Sequence, residues 1–426
     1  STPMKNVVKW SSLALAVAAG NGMLASSAMA EGEGFIEGAS ATLYNRTVYF
    51  NRDFRNGRDD NGIGKREESA TSLLMNFESG FTQGPIGFGA DVIASMGIKL
   101  DSGRGRSGTG LLPVDGNNDA DDEYSEIRGA VKMAILDDTV LRYGVHMPEN
   151  PVAAYDDARL LPSHYQGYSI TNQSIDGLFV EAGRLTDRSE MNQPNETDGA
   201  ITDGDDLTYL GGTYTFTDNL SVTLYGAEAE DFYDRYFVGA DWTMPLGDDL
   251  SLNTNFAYYD TSDENSSDGE EVDNQAASLA FTLGAGNHAF GVAYQEMNGD
   301  AGYYYTDGDI FLANSIQYLD FNGKDEKSYQ ARYDYDFAGM GIPGLSFMTR
   351  YIKGDDIDVA PGLSDSRWER DSELKYTVQN GTLEGLNIRW RNATVRQNVG
   401  TSTNGRGVNG DVDENRLIVG YTWNLL

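Results

Sequence analysis

The chain has 426 residues, a formal net charge of −35, 50 glycines, 25 tyrosines, ten prolines and no cysteine. Such acidity excludes nucleic acid as a partner, because the phosphate backbone would be repelled. The missing cysteine excludes disulfides and thiolate metal sites, and the glycine and tyrosine counts fit tight turns and aromatic girdles.

Residues 1–30 read as a secretory signal peptide. Lys5 and Lys9 are its basic start, Leu13–Ala19 its short apolar core and Ala28-Met29-Ala30 its small-x-small cleavage site. Ser1-Thr2-Pro3 precede Met4 and read as a non-native prefix. Removing the segment takes two lysines and no acid, so the formal charge moves from −35 to −37. Residues 31–426 then form one domain. That domain holds no run of 18 apolar residues, so no spanning helix is expected.

Alternating segments follow, joined by eight short connections. In chain order they lie near Gln83-Gly84-Pro85, Asp137-Asp138, Ser174-Ile175-Asp176, Thr217-Asp218-Asn219, Pro245–Asp248, Gly284-Ala285-Gly286, Gly341–Gly344 and Asn380-Gly381-Thr382. Between them run longer polar stretches at 51–68, 99–123, 148–167, 186–206, 261–274, 297–326, 354–369 and 397–414, with a much shorter one near Glu228–Glu230. Eight turns joining two strands each, plus one strand at either end, predict 18 strands. The number is even and leaves both termini on one side, as an outer-membrane barrel requires. The fold class is therefore all-β: a transmembrane antiparallel β-barrel with short periplasmic turns and long extracellular loops. A soluble sandwich or propeller is the alternative, and no blade-length repeat supports a propeller.

Period two assigns faces within the strands. Arg389 and Arg391 lie opposite Leu386, Ile388 and Trp390; Lys375 opposite Leu374, Tyr376 and Val378; Arg350 opposite Leu345, Phe347 and Tyr351; and Arg332 opposite Tyr333, Tyr335 and Phe337. Arg142 lies opposite Leu141, Tyr143 and Val145, Arg128 and Lys132 opposite Ile127, Val131 and Met133, and Arg416 alternates with the apolar run Leu417–Leu425. An arginine facing lipid at the midplane costs about 2–4 kcal/mol, so these residues are expected in the bore.

Several stretches resemble the OprD family of Gram-negative substrate-specific porins, the Occ channels. They include Tyr49–Arg55, Asp157–Pro162, Leu312–Tyr318, Arg332–Phe337, Arg350–Asp355 and Glu414–Val419, and they span nearly all of residues 31–426. The resemblance implies an 18-stranded barrel, monomeric or loosely trimeric. It also implies diffusion of small, often carboxylate-bearing solutes along a ladder of basic side chains, without cofactor or energy input. Arg46, on a less regular first strand, is placed in that ladder by the resemblance alone. The last five strands and the first then carry Arg332, Arg350, Lys375, Arg389, Arg391, Arg416 and Arg46 on one arc, where planar guanidinium forks suit carboxylates. The alternative is that these cations only balance lumenal Asp334, Asp336 and Glu373.

A bore of this strand count is wide and needs narrowing. Met147–Gly167 holds Pro148, Pro151 and Pro162 in a proline-poor chain, and its Asp157–Pro162 matches the family's inward-folded third loop. Tyr155, Asp156, Asp157 and Arg159 are its candidate constriction residues; an outward surface loop is the alternative.

Acid concentrates at Asp115–Glu123, Asp203–Asp206 and Asp263–Asp273, without calcium-loop spacing. Solvation or salt adaptation explains it, and loose divalent binding near lipopolysaccharide is the other reading. Of the three histidines, His164 adjoins Ser163 and His288 follows an expected turn, and no Gly-x-Ser-x-Gly elbow occurs. The expected function is an outer-membrane porin for small carboxylates, with lipid and lipopolysaccharide as surroundings, no metal and no catalysis. A sugar-selective channel, of the chito-oligosaccharide type, and an outer-membrane enzyme or adhesin are the alternatives.

Overall fold

The computed structural model describes residues 33–55, 62–201, 205–263, 271–305, 310–360, 362–397 and 410–426. The expected signal peptide lies outside the described residues, as do Asp203, residues 264–270 and 398–409 of the expected loops.

Period-two segments become strands because each has one face that water or polar side chains accept and one that they do not. The first nine are β1 (Ser40–Phe54), β2 (Lys65–Glu78), β3 (Ile86–Asp101), β4 (Glu123–Ile135), β5 (Thr139–His146), β6 (His164–Asn172), β7 (Leu178–Ser189), β8 (Leu207–Thr217) and β9 (Leu220–Ala229). The second nine are β10 (Tyr233–Gly247), β11 (Leu250–Asp263), β12 (Asn274–Ala285), β13 (His288–Gly299), β14 (Lys327–Asp336), β15 (Leu345–Ala360), β16 (Leu363–Thr377), β17 (Asn387–Gln397) and β18 (Val412–Asn424).

Each strand pairs antiparallel with the next, and β18 pairs with β1 from Thr42↔Asn424 to Phe54↔Val412. Eighteen strands therefore close on themselves and leave no edge. A two-residue segment, Thr197–Asp198, adds to β7 from the connection that follows it. Among the described residues, no helix is long and apolar enough to cross a membrane; Phe337–Met340 form a 3-10 turn in the β14–β15 connection, capped by Asp336.

The outer wall is apolar. Ile127, Val131, Tyr143, Val292 and Trp390 are all exposed there. Phe88, Phe216, Trp242 and Trp423 ring the short-turn end, and Tyr49, Tyr236 and Tyr329 stand nearer the other, as interfacial girdles do.

All eight expected short turns join consecutive strands, and the β9–β10 link at 230–232 is short as expected. The stretch 354–369 differs from the expectation of a long loop. Asp358 pairs with Ser364 and Gly354 with Arg367, so β15 and β16 run on as a two-stranded ribbon. Its polarity marks wall that rises beyond the apolar band, with Ile357 and Glu369 buried on the side that the 300–326 loop covers.

Long connections turn into the bore, those after β3 and β7 contributing Leu111, Leu112, Ala200 and Ile201 to its buried clusters. In the β5–β6 connection (147–163), Leu160 and Leu161 are buried against Val48, Phe50, Leu111, Leu112 and Tyr124. In the β13–β14 connection (300–326), Phe311 and Leu312 join Val152, Ala153 and Ala154 of the first in one cluster. Thus the third loop folds inward, and a second loop packs beside it.

The lumenal wall and its constriction

The irregular pattern of β1 has a physical cause. Val48 and Phe50 point inward, where the third loop supplies them with apolar partners. Arg46 lies on the same face. Its guanidinium grips both carboxylate oxygens of Asp157 at 2.8 and 2.9 Å and donates to the carbonyl of Arg159 at 3.0 Å. Asp157 is therefore fixed to the wall.

The other loop candidates have distinct partners. The Tyr155 hydroxyl donates to Glu149 at 3.2 Å. Asp156 accepts the Ala158 N–H at 2.9 Å, and burial raises its carboxyl above the usual range. Arg159 donates to the Thr109 carbonyl at 2.8 Å and lies over the Phe50 ring. Burial, then the charges of Arg416 and Arg52, weaken its charged form.

Along the arc, register places Arg332 beside Arg350, Arg350 beside Asp371, Glu373 beside Arg391, Lys375 beside Arg389, and Arg391 beside Arg416. Arg332 pairs with Asp334 at 2.7 Å and Arg350 with Asp371 at 2.8 Å. Arg389 pairs with Glu373 at 2.7 Å, and Arg391 reaches the same carboxylate at 3.7 Å. Lys375 is exposed and has no ion pair among the described residues. Two arginines thus share one acid, with the exposed Lys375 on the same face, and the Arg391 Nε is buried without a hydrogen-bond partner.

Arg416 differs from its neighbours. Its side chain is only 3 % exposed and pairs with Glu414 at 2.7 Å. Arg128, Lys132 and Arg142 lie off the arc, beyond β2 and β3. Arg128 pairs with Glu196 of the 190–206 connection at 2.7 Å, while Lys132 and Arg142 hold Asp91 from two sides at 2.9 and 2.5 Å. Of the acids named as balancing partners, Asp334 and Glu373 pair with arc cations, whereas Asp336 caps the 3-10 turn.

The remaining candidates have plain settings. His164 Nε2 lies 3.0 Å from Glu126, and the Ser163 hydroxyl accepts the Asp156 N–H. His288 begins β13, stacked on Phe290 and 2.6 Å from the Tyr333 hydroxyl. Tyrosines stand on the outer wall, as Tyr143 and Tyr168 do, or in the loop cluster, as Tyr209, Tyr225 and Tyr259 do. Asp263, Glu271 and Asp273 bring carboxylate oxygens within 4.8 Å of one another.

Sequence reasoning missed the inward 300–326 loop and its supports. Glu369 accepts the N–H groups of Tyr318 and Leu319 at 3.1 and 2.7 Å, and Glu326 pairs with Arg367. The available signal was Ile310-Phe311-Leu312, an apolar triplet in a polar stretch, which water would not favour leaving exposed.

Comparisons with known proteins agree with this architecture. A family model for outer membrane porins of the OprD family matches residues 33–425. Porin D of Pseudomonas aeruginosa is 39 % identical over 453 residues, covering 99 % of this chain and all of that protein. The crystal structure of OccK9 (OpdG) from Pseudomonas aeruginosa is 37 % identical, with a TM-score of 0.85 over 92 % of this chain and 100 % of that one. The structure of OpdK with vanillate, also from Pseudomonas aeruginosa, is 31 % identical, with a TM-score of 0.82 over the same shares. These relatives are channels rather than enzymes. A closed 18-stranded barrel with this lumen and these relatives is a porin of the Gram-negative outer membrane, and the chain belongs to the OprD family.

Proposed function

We propose that this porin passes small carboxylate-bearing solutes, which move along the basic arc by exchanging one guanidinium or ammonium partner for the next. The observation that carries the reading is the single carboxylate of Glu373 shared by Arg389 and Arg391, beside Lys375, which has no ion pair among the described residues. Cations in excess of their fixed partners attract a mobile anion, and a shared partner leaves donors unused. Vanillate, seen with the related OpdK, is an aromatic carboxylate of the size and charge this arc suits.

The test is ion selectivity in planar bilayers. Arg389→Ala combined with Arg391→Ala is expected to shift the reversal potential in a salt gradient toward cations. It should also weaken current block by an aromatic carboxylate about tenfold, the factor that corresponds to about 1.4 kcal/mol. Unchanged selectivity and unchanged block would reject the reading.

A further inference from the structure

The two inward loops touch the same wall residues at two separate places. At one end the Tyr259 hydroxyl, on β11, donates to the Pro151 carbonyl of the third loop at 2.7 Å and accepts the Phe311 N–H of the second at 3.0 Å. At the other end Arg416, on β18, donates to the Ala158 carbonyl of the third loop at 3.3 Å and to the Gln317 carbonyl of the second at 3.4 Å. Between those ends Val152, Ala153, Ala154, Phe311 and Leu312 pack together.

Arg416 is itself held. Glu414, fully buried, takes the Arg416 Nε–H at 2.7 Å, the Arg52 Nε–H at 2.6 Å and the Gln317 side-chain amide at 3.1 Å. Arg52 lies over the Tyr318 ring of the second loop. One carboxylate thus organises donors from β1, β18 and the 300–326 loop.

We infer that Glu414 is the hub of a clasp that joins the two inward loops into one diaphragm, with Tyr259 as its opposite fastening. Arg416 is then a positioning residue that sets the constriction rather than a rung that solute touches. Its 3 % exposure leaves no surface for a passing anion, in contrast to Arg389 at 36 %. A buried carboxylate satisfied by three donors fixes its partners strongly, because removing it strands two buried guanidinium groups.

The experiment is single-channel recording of the full barrel carrying Glu414→Gln, after heat-modifiable gel mobility has verified closure. Loops moving as a unit close the unaltered pore in one current step. In Glu414→Gln, closures are expected to become about tenfold more frequent and to separate into two steps with uncorrelated dwell times, one per loop. More frequent closures that remain a single step would overturn the coupling, as would unchanged gating. If Glu414→Gln does not close its barrel, Tyr259→Phe decides the matter from the opposite end, away from the β18–β1 seam. It removes one hydroxyl that touches both loops, and the same split is expected; its absence would overturn the inference.

Discussion

Arg46 and Asp157 are joined across 111 residues of sequence by a two-point ion pair that ties the third loop to the first strand. The Arg46 side chain is 13 % exposed and that of Asp157 39 %, so the pair is not sealed from water. Asp157→Asn is expected to weaken this attachment by about 1–2 kcal/mol, less than for a fully buried pair because of that exposure. Unit conductance should rise and open-channel noise increase. Bilayer recordings at fixed voltage check this, and unchanged conductance would count against Asp157 shaping the constriction.

Glu373 offers a change of opposite sign to arginine removal. Glu373→Gln leaves Arg389 and Arg391 without their shared acid and removes a negative charge two residues from Lys375. Anion preference should increase, and block by an aromatic carboxylate should tighten by about threefold to tenfold, given one fewer competing charge a few ångströms away. Reversal potentials measured beside those of the arginine variants separate local electrostatics from collapse of the wall, since collapse would move both variants the same way.

The third loop also predicts a pH dependence. Burial raises the carboxyls of Asp156 and Glu149 above the usual range. Their ionised forms are disfavoured in the folded loop, so their contribution to stability is greatest at low pH and is lost as pH rises through the raised values. Falling pH neutralises them before ordinary surface carboxylates. Anion preference should therefore increase early in an acid titration. Asp156→Asn should flatten that early phase, and an identical titration curve would remove Asp156 as its source.

The outer wall is testable by insertion. Val292 on β13 is exposed to lipid. Val292→Arg should destabilise the inserted barrel by about 2–4 kcal/mol if it lies near the midplane, and less nearer an interface. Urea titration in lipid vesicles, read by gel mobility, measures this. Equal stability of the two proteins would place that face away from the hydrocarbon.

Much of this architecture was legible because membrane strands obey two simple rules. Alternation marked the faces of β14–β18, and the short connections marked one end of each strand pair. What sequence concealed were the places where the bore is filled. Val48 and Phe50 break the alternation of β1 because their partners come from a loop more than 100 residues away. The ribbon formed by β15 and β16 read as loop because both its faces are polar. The 300–326 loop looked like any acidic surface stretch, since its supports lie elsewhere in the chain, Glu369 and Arg367 on β16 and Gln295 on β13. Period two could place Arg416 in the bore, but it could not distinguish a solvated rung from a buried arm, which depends on tertiary contacts.

The last strand has a consequence for biogenesis. β18 supplies the pairing that seals the cylinder against β1, and it also carries Glu414 and Arg416. Contacts between chain ends form slowly, because a long loop must close before they bring any stabilisation. Until the C-terminal segment docks, the cylinder is unsealed and the inward loops lack Arg416, a wall residue that touches both. Docking of the inward loops is therefore coupled to completion of the wall, and a chain truncated before residue 412 would lack both the seal and the Arg416 contacts to the two loops.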